Sequence, residues 1–400
     1  MDAAIRLLDM TPAPLAWSGR ATSVAGIEET LARIWSAAPA VAVGADGERH
    51  VVARTSVLNL VAVAASPEVA TRVLAAVVSL TGRHPSRTIV VEPRDVDGPR
   101  RIDAEVTASC ILPRDAGAAV CTEAIRLVAG GDAGRHLASI IPPLLIHDLP
   151  VAIWWPGDVP FDRPDFVALM AAAVQTDRLL VDGSGWRDDG LGGIRGLARA
   201  QAASRIAISD FALMRQSRWR DAIASAFDGP DVGQFLRSIR RVVVEYAASP
   251  ADPARANVVR PLYHAAWIGS RLGWSAEAPL TLTADGRRET VLRRPRGHVE
   301  LVLVPVASDL PSGSTTRLVI VAERRRSRLE VDVTARAEAV IVRARRDGGE
   351  LFERVHHAAR RTDTDLLAEA IESGGRSPLA AAAILLAGEI AGGVDQPRRP

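Results

Sequence analysis

Residues 142–157 read PPLLIHDLPVAIWWPG. The stretch is apolar on both sides of a single carboxylate, Asp148, and ends in adjacent tryptophans stopped by Pro156 and Gly157. Val151 to Trp155 is β-branched and aromatic, which predicts a strand covered on both faces. Successive strand residues point to opposite faces, so Trp154 and Trp155 enter different environments. A tryptophan buries roughly 150–250 Å², and both sides of the strand end therefore need cover. Asp148 falls just before the strand, where a loop can hold a charge. Strands buried on both faces belong to parallel sheets with helices above and below.

The flanking sequence has that rhythm. Residues 57–64 (VLNLVAVA), 87–92 (RTIVVE) and 178–181 read as further strands, and 102–110 alternates as an edge or half-buried strand does. Helical spacing marks 27–35, 67–80 with Pro67 at the first position, 120–128, 136–145 broken by Pro142 and Pro143, and 164–174. Strands alternating with helices predict βαβ units. Residues 219–227, 235–247 and 258–272 then read as helices, the last with Leu262, Ala265, Ala266 and Ile268 at core positions. From Leu280 to Arg345 the apolar period becomes two, which predicts an antiparallel meander. Residues 364–372 and 379–391 close the pattern as helices. The expected class is α/β: an N-terminal parallel or mixed sheet flanked by helices (1–205), then a helical segment and a C-terminal α+β domain with an antiparallel β-meander (206–395). Residues 396–400 are expected to form a disordered tail.

Composition narrows function. The 400 residues are 48% hydrophobic, enough for a substantial core. Lys plus Arg number 49 against 47 Asp plus Glu, a net charge of +2, which argues against nucleic-acid binding driven by bulk charge. Every one of those basic residues is arginine, so Schiff-base and P-loop lysine chemistry are excluded. Cys110 and Cys121 are the only cysteines. Two are too few for a disulfide framework and suit a reducing cytoplasm; buried free thiols are expected, a redox pair requiring Cα atoms within about 7 Å. The opening MDAAIRLLDMTPAPLAW makes a poor signal peptide. No run approaches the roughly 18 apolar residues of a spanning helix. The expectation is a soluble cytoplasmic protein with no membrane or nucleic-acid partner.

Catalytic motifs are scarce. GLGGIRG at 190–196 places Arg195 where a dinucleotide fingerprint needs glycine, and reads instead as a loop. GSGW at 183–186 lacks the spacing of a nucleophile elbow. The eight histidines make no zinc pattern, and His356 and His357 are expected on a helix, so no metal or cofactor is expected. HPSR at 84–87 offers His84 and Arg87 either as phosphate ligands or as punctuation between a helix and a strand. Asp177 and Arg178 open a strand that Asp182 closes, and strand C-terminal ends are the usual ligand edge of open α/β sheets.

Taken together, these blocks resemble the OpcA family of glucose-6-phosphate dehydrogenase assembly proteins. The match is carried by RTSVLNLVAV at 54–63, HPSR, PLLIHDLPVAIWWPG at 143–157, DRLLVDGS at 177–184, and ISDFALMRQSRWRDAIASAFD at 208–228. It extends to about residue 275. The last block is similar to the family through Asp210, Arg215, Trp219 and Arg220, and departs from it at Leu213, where a tryptophan is usual, and at Arg218, where a proline is. The resemblance implies a non-catalytic partner and activator of oligomeric glucose-6-phosphate dehydrogenase, with Asp210, Arg215, Trp219 and Arg220 as the candidate contact block. His84, Arg87, Asp148, Trp154, Trp155, Asp177, Arg178 and Asp182 are then structural or ligand-binding. The alternative reading is an α/β enzyme or binding protein for a phosphorylated sugar, with HPSR, Asp148, Asp177 and Arg178 meeting at one crevice. A purely structural scaffold is the third.

Overall fold

The computed structural model describes residues 15–43, 47–112, 118–172, 176–373 and 376–393. Internal packing divides the chain into Met1–Val181 with Asp363–Gly375, and Asp182–Thr362 with Arg376–Pro400. The sequence-based limit at Arg205 lies inside the second unit, and the expected tail at 396–400 lies outside the described residues.

The first unit runs β1 (Leu15–Ala21), α1 (Val24–Ala37), β2 (Val41–Val43), β3 (Arg49–Val51), β4 (Leu58–Val63), α2 (Pro67–Ser79), β5 (Ser86–Arg94), β6 (Arg101–Ile111), β7 (Val120–Gly130), α3 (Asp132–Arg135), α4 (Leu137–Ile140), β8 (Val151–Trp155), α5 (Pro164–Ala172) and β9 (Thr176–Val181). Its sheet order is β1-β6-β7-β5-β4-β8-β9. β7, β5, β4, β8 and β9 are mutually parallel, and β6 runs antiparallel to both β1 and β7. Every residue of β4 is buried, as its apolar run predicts for a central strand. α2 begins as expected, with Pro67 in the first turn and Ser66 Oγ accepting from the Val69 amide at 3.4 Å. Asn59 is buried on β4. Its Nδ2 donates to the Ile146 carbonyl at 2.9 Å and its Oδ1 accepts the Ile146 amide at 2.8 Å, fixing the loop that leads into β8.

Two expectations fail in this unit. Residues 120–128 are not a helix but most of β7. Ala124, Arg126 and Leu127 favour helix, yet burial alternates along the strand, and ladders to β5 and β6 on either side settle the conformation. That pairing also places Cys110 directly opposite Cys121. The two form a disulfide with Cα atoms 4.0 Å apart, not a pair of free thiols. It lies in an apolar cluster with Ala42, Leu112 and Ala119.

The second unit contains α6 (Leu191–Ala203), β10 (Ala207–Asp210), α7 (Phe211–Met214), α8 (Ser217–Ala226), α9 (Pro230–Gly233), β11 (Ile239–Ala248), α10 (Val259–Leu272), β12 (Ser275–Ala276), β13 (Thr281–Leu282), β14 (Arg288–Arg294), β15 (Gly297–Ala307), β16 (Thr315–Arg324), β17 (Ser327–Arg336), β18 (Ala339–Arg346) and β19 (Gly349–His357). The chain then returns to the first unit as α11 (Asp363–Glu372) and ends in the second as α12 (Pro378–Ile390). The antiparallel-rich sheet has the order β12-β14-β15-β11-β16-β17-β18-β19, with β13 pairing β14. The expected meander is present but split. β11, which the sequence suggested was helical, lies between β15 and β16, parallel to the first and antiparallel to the second. Its Val242–Val244 run and half-buried alternation suit a strand paired on both sides. His356 and His357 end β19 instead of lying on a helix. GLGGIRG is not a loop but the start of α6, entered through Gly190 at φ 76°. A side chain at Gly193 would place a Cβ 2.3 Å from the Trp186 ring, so glycine is required for that helix to approach the indole. α12 packs on α10 and α6. Among the described residues no helix is long and apolar enough to cross a membrane.

Candidate functional site

In the second unit, Asp182, Asp210 and Arg215 meet around the turn at 183–186. β10 ends at Asp210, whose carboxylate caps α7 by accepting the Ala212 amide at 2.8 Å. The same oxygen accepts the Gly183 amide at 2.9 Å, and the other accepts the Tyr263 hydroxyl at 2.7 Å. Asp210 is 1% exposed. Burial, and the negative charge of Asp182 after it, push its carboxyl up to about 6. Burial and the same carboxylate hold the Tyr263 phenol well above its ordinary value. Asp182 accepts from Arg215 Nη1 at 2.8 Å and from the Ser184 hydroxyl at 2.6 Å. Asn257 closes the turn from the other side, Nδ2 donating to the Gly183 and Trp186 carbonyls at 2.9 and 3.2 Å. Both oxygens of Asp210 thus carry donors, a geometry that fixes a turn rather than one that leaves a base facing a substrate.

The rest of the block lies on α8 and the segment before it. The Trp219 ring stands 5.1 Å from that of His264, which is fully buried on α10 with neither ring nitrogen hydrogen-bonded. Burial, then the nearby Arg220 and Arg260 charges, pull His264 down to about 3, so it is neutral. Arg220 Nη1 donates to the Leu213 carbonyl at 2.5 Å. Leu213 is buried, and Arg218 is exposed, 4.0 Å from Asp221.

In the first unit the HPSR segment is engaged within the fold. His84 Nε2 lies 3.0 Å from Glu372 of α11, which Arg83 also contacts at 2.5 Å. Arg87 is 2% exposed. It donates to Glu123 at 2.7 Å, to Glu28 at 2.8 Å and to the Leu144 carbonyl at 2.8 Å. Glu123 is itself fully buried and also takes Arg54 at 2.5 Å and the Trp35 indole at 2.6 Å. Asp148 is exposed in the turn before β8, at φ 66°, a conformation aspartate tolerates better than most residues. Trp154 is 1% exposed, whereas Trp155 is half-buried on the opposite face, edge-on to Phe166 at 5.4 Å.

His84, Asp177 and Arg178 do share a cleft of about 200 Å³, together with Val57, Pro150 and Ile371. Arg87 and Asp148 are not part of its lining. The cleft opens at the N-terminal ends of β4, β8 and β9, the edge opposite the one where α/β sheets usually hold ligands. Arg178 donates to the Ala370 and Ile371 carbonyls at the end of α11, a favoured place for a cation. Tyr263, Asn257, His264 and Glu123 escaped sequence reasoning because nothing in their local pattern sets them apart. Among the described residues no group of three or more His, Cys, Asp or Glu is placed to hold a metal.

Comparison with known proteins bears on both halves. Residues 77–196 match the glucose-6-phosphate dehydrogenase subunit N-terminal domain, and residues 206–384 match the corresponding C-terminal domain. The gap between the two brackets Arg205, whereas packing divides the chain after Val181. A protein of Synechococcus elongatus provisionally named OxPP cycle protein OpcA is 27% identical over 205 residues, covering 51% of this chain and 42% of that one. A protein of the same name from Nostoc punctiforme is 27% identical over 193 residues, 48% of this chain and 39% of that one. The chain spans about two-fifths of the length of these relatives. Among solved structures, a super-repressor mutant of Gal80p from Saccharomyces cerevisiae superposes with a TM-score of 0.43 at 11% identity, over 83% of this chain and 94% of that one, a likeness too loose to carry an argument.

Proposed function

The chain belongs to the OpcA family of glucose-6-phosphate dehydrogenase assembly proteins, and from that premise we propose that it is a non-catalytic assembly factor and activator that binds the oligomeric dehydrogenase in the cytoplasm and so supports the oxidative pentose phosphate pathway. The observation that carries this reading is the family match across both halves of the chain. The site chemistry supports it: the carboxylates and guanidiniums that the motifs single out are largely engaged in holding turns and strands. Activation follows by population shift, since a partner that prefers the active oligomer stabilises it by its difference in affinity, about 1.4 kcal/mol for each tenfold.

The contact surface in this reading is the block from Arg215 to Arg220. Arg and Trp are favoured interface anchors, and Arg215, Arg218, Trp219 and Arg220 all retain exposure. Asp210, being buried, serves as a positioning residue that holds the turn and the start of α7 behind them. The test is to mix the chain with the dehydrogenase of the same organism. Size-exclusion with light scattering reads the complex, and initial rates with glucose 6-phosphate and NADP read activation. A co-migrating complex with altered rates, weakened by Trp219→Ala or Arg220→Ala, is expected. Two folded proteins that neither co-migrate nor change rate would remove the proposal.

A further inference from the structure

The long sheet of the second unit has two unlike faces, because successive strand residues alternate between them. On one face Val242, Val244, Leu301, Leu303, Leu318 and Ile320 are all buried. α8 lies on this side, since its Ser225 meets Arg354 and His356, the cross-strand partners of Val342 and Val340. The other face is open. The ladder registers set Val302, Val243 and Val319 side by side across β15, β11 and β16, with Val304 and Val321 next to them on β15 and β16. Val243, Val304 and Val319 are half-buried, Val302 and Val321 are sunk between their neighbours, and Val291 and Val355 further out are exposed. Charged residues ring this apolar centre and neutralise one another: Arg241 with Glu300 at 3.4 Å, Arg317 with Glu245 at 3.3 Å and with Asp332 at 2.7 Å, and Arg343 with Glu353 at 2.5 Å. A solvated sheet face is polar throughout, whereas an apolar centre inside a polar rim is the anatomy of a protein interface.

We propose that this face stacks on the same face of a second copy of the chain, forming a two-fold dimer. Two observations select that occupant. The first is charge. Arginine and carboxylate alternate across the strands, as in Glu300–Arg241 on one row and Asp332–Arg343–Glu353 on the next. A copy turned about a two-fold axis therefore meets no block of its own sign, whereas a foreign partner steered by charge calls for an excess of one sign. The second is area. The strands from β14 to β19 in the sheet order, about 4.8 Å apart, carry three rows of side chains about 7 Å apart, roughly 30 by 20 Å in all. Two copies would bury at least about 1,200 Å², the lower limit of a specific stable interface. The Arg215–Arg220 block runs into α8, on the other side of the sheet, so the dimer goes beyond the assembly role and does not require it.

The experiment follows the full chain alone, by sedimentation velocity and light scattering, over about a hundredfold range of concentration from about 1 μM. The expected mass is about 85 kDa, twice that of the 42.5 kDa chain. Val319→Arg puts a charge at the centre of the face, opposite Asp332 on β17, which accommodates it in the free chain; it is expected to weaken the dimer at least about tenfold. Val243→Thr keeps a β-branched residue in the strand and is expected to weaken the dimer at least about fivefold, by burying a hydroxyl without a partner. Val167→Arg, exposed on α5 of the first unit, is expected to leave the mass unchanged. Urea unfolding of each variant as a dilute monomer establishes that it is folded, and Val243→Thr decides the matter if Val319→Arg is not. A chain monomeric throughout the range, a dimer untouched by these two substitutions, or equal loss in Val167→Arg would overturn the proposal. So would a monomer that binds the dehydrogenase and loses it on Val319→Arg, which would give this face to the dehydrogenase.

Discussion

Asp210→Asn is expected to stabilise the protein near neutral pH and to leave it almost unchanged in mild acid. The carboxyl of Asp210 is raised from 3.8 to about 6, roughly two units, and each unit corresponds to about 1.36 kcal/mol. The native state therefore holds this proton more tightly than the unfolded chain does. The resulting stabilisation is present below about pH 4 and is lost as pH climbs through 6. At pH 7 the ionised acid leaves the fold about 3 kcal/mol less stable than the protonated one would. Asparagine keeps the oxygen that accepts the Gly183 and Ala212 amides, and its NH₂ group can donate to a reoriented Tyr263 hydroxyl. The variant is uncharged at every pH. Urea unfolding followed by tryptophan fluorescence from about pH 4 to 7.5, at fixed ionic strength, should show the variant's advantage growing through that window toward about 3 kcal/mol. Comparing variant with parent cancels the opposite trend of groups such as Asp332, whose carboxyl is held low by Arg317 against its partial burial. A difference that is flat with pH, or an asparagine variant weaker than the parent at pH 7, would refute the reasoning.

Other substitutions separate core from surface. Trp154→Ala should cost about 3–5 kcal/mol, and Trp155→Ala clearly less because its ring is only half-buried; equal drops in melting temperature would contradict the two-faced strand. Glu123→Gln should cost about 3–5 kcal/mol by turning an amide toward Arg87 and Arg54, measured by chemical unfolding. Replacing both Cys110 and Cys121 with alanine should cost about 3 kcal/mol, given the short loop the disulfide closes, and reductant should then have no further effect on unfolding.

How much of this was legible in the sequence depended on what each residue faced. The β4, β5 and β8 runs announced themselves because strands buried on both sides need apolar, β-branched residues throughout. β7 did not: Glu123, Ala124, Arg126 and Leu127 are good helix formers, and what keeps them extended is a ladder on each side together with Arg54 and Arg87 placed to neutralise Glu123. β11 was hidden in the same way, its partners lying about 60 and 80 residues further along the chain. The cysteine bridge needed the register of β6 on β7, which follows only once β7 is known to be a strand. In the candidate site, Asp210 and Arg215 were found through family resemblance, but the buried role of Asp210 was not.

The return of α11 to the first unit governs how the protein can be cut and made. A fragment ending at Val181 would lack Glu372, which holds Arg83 and His84, and the carbonyls that receive Arg178. On a ribosome, the first unit would emerge incomplete and stay so while the whole nine-stranded sheet was synthesised. A protease nick between β19 and α11 would leave the first unit in two polypeptides held by non-covalent contacts alone, these together with the packing of α11 on α2. Expressing either family domain by itself should accordingly yield a less stable product than co-expressing the two pieces, with residues 363–375 supplied in trans.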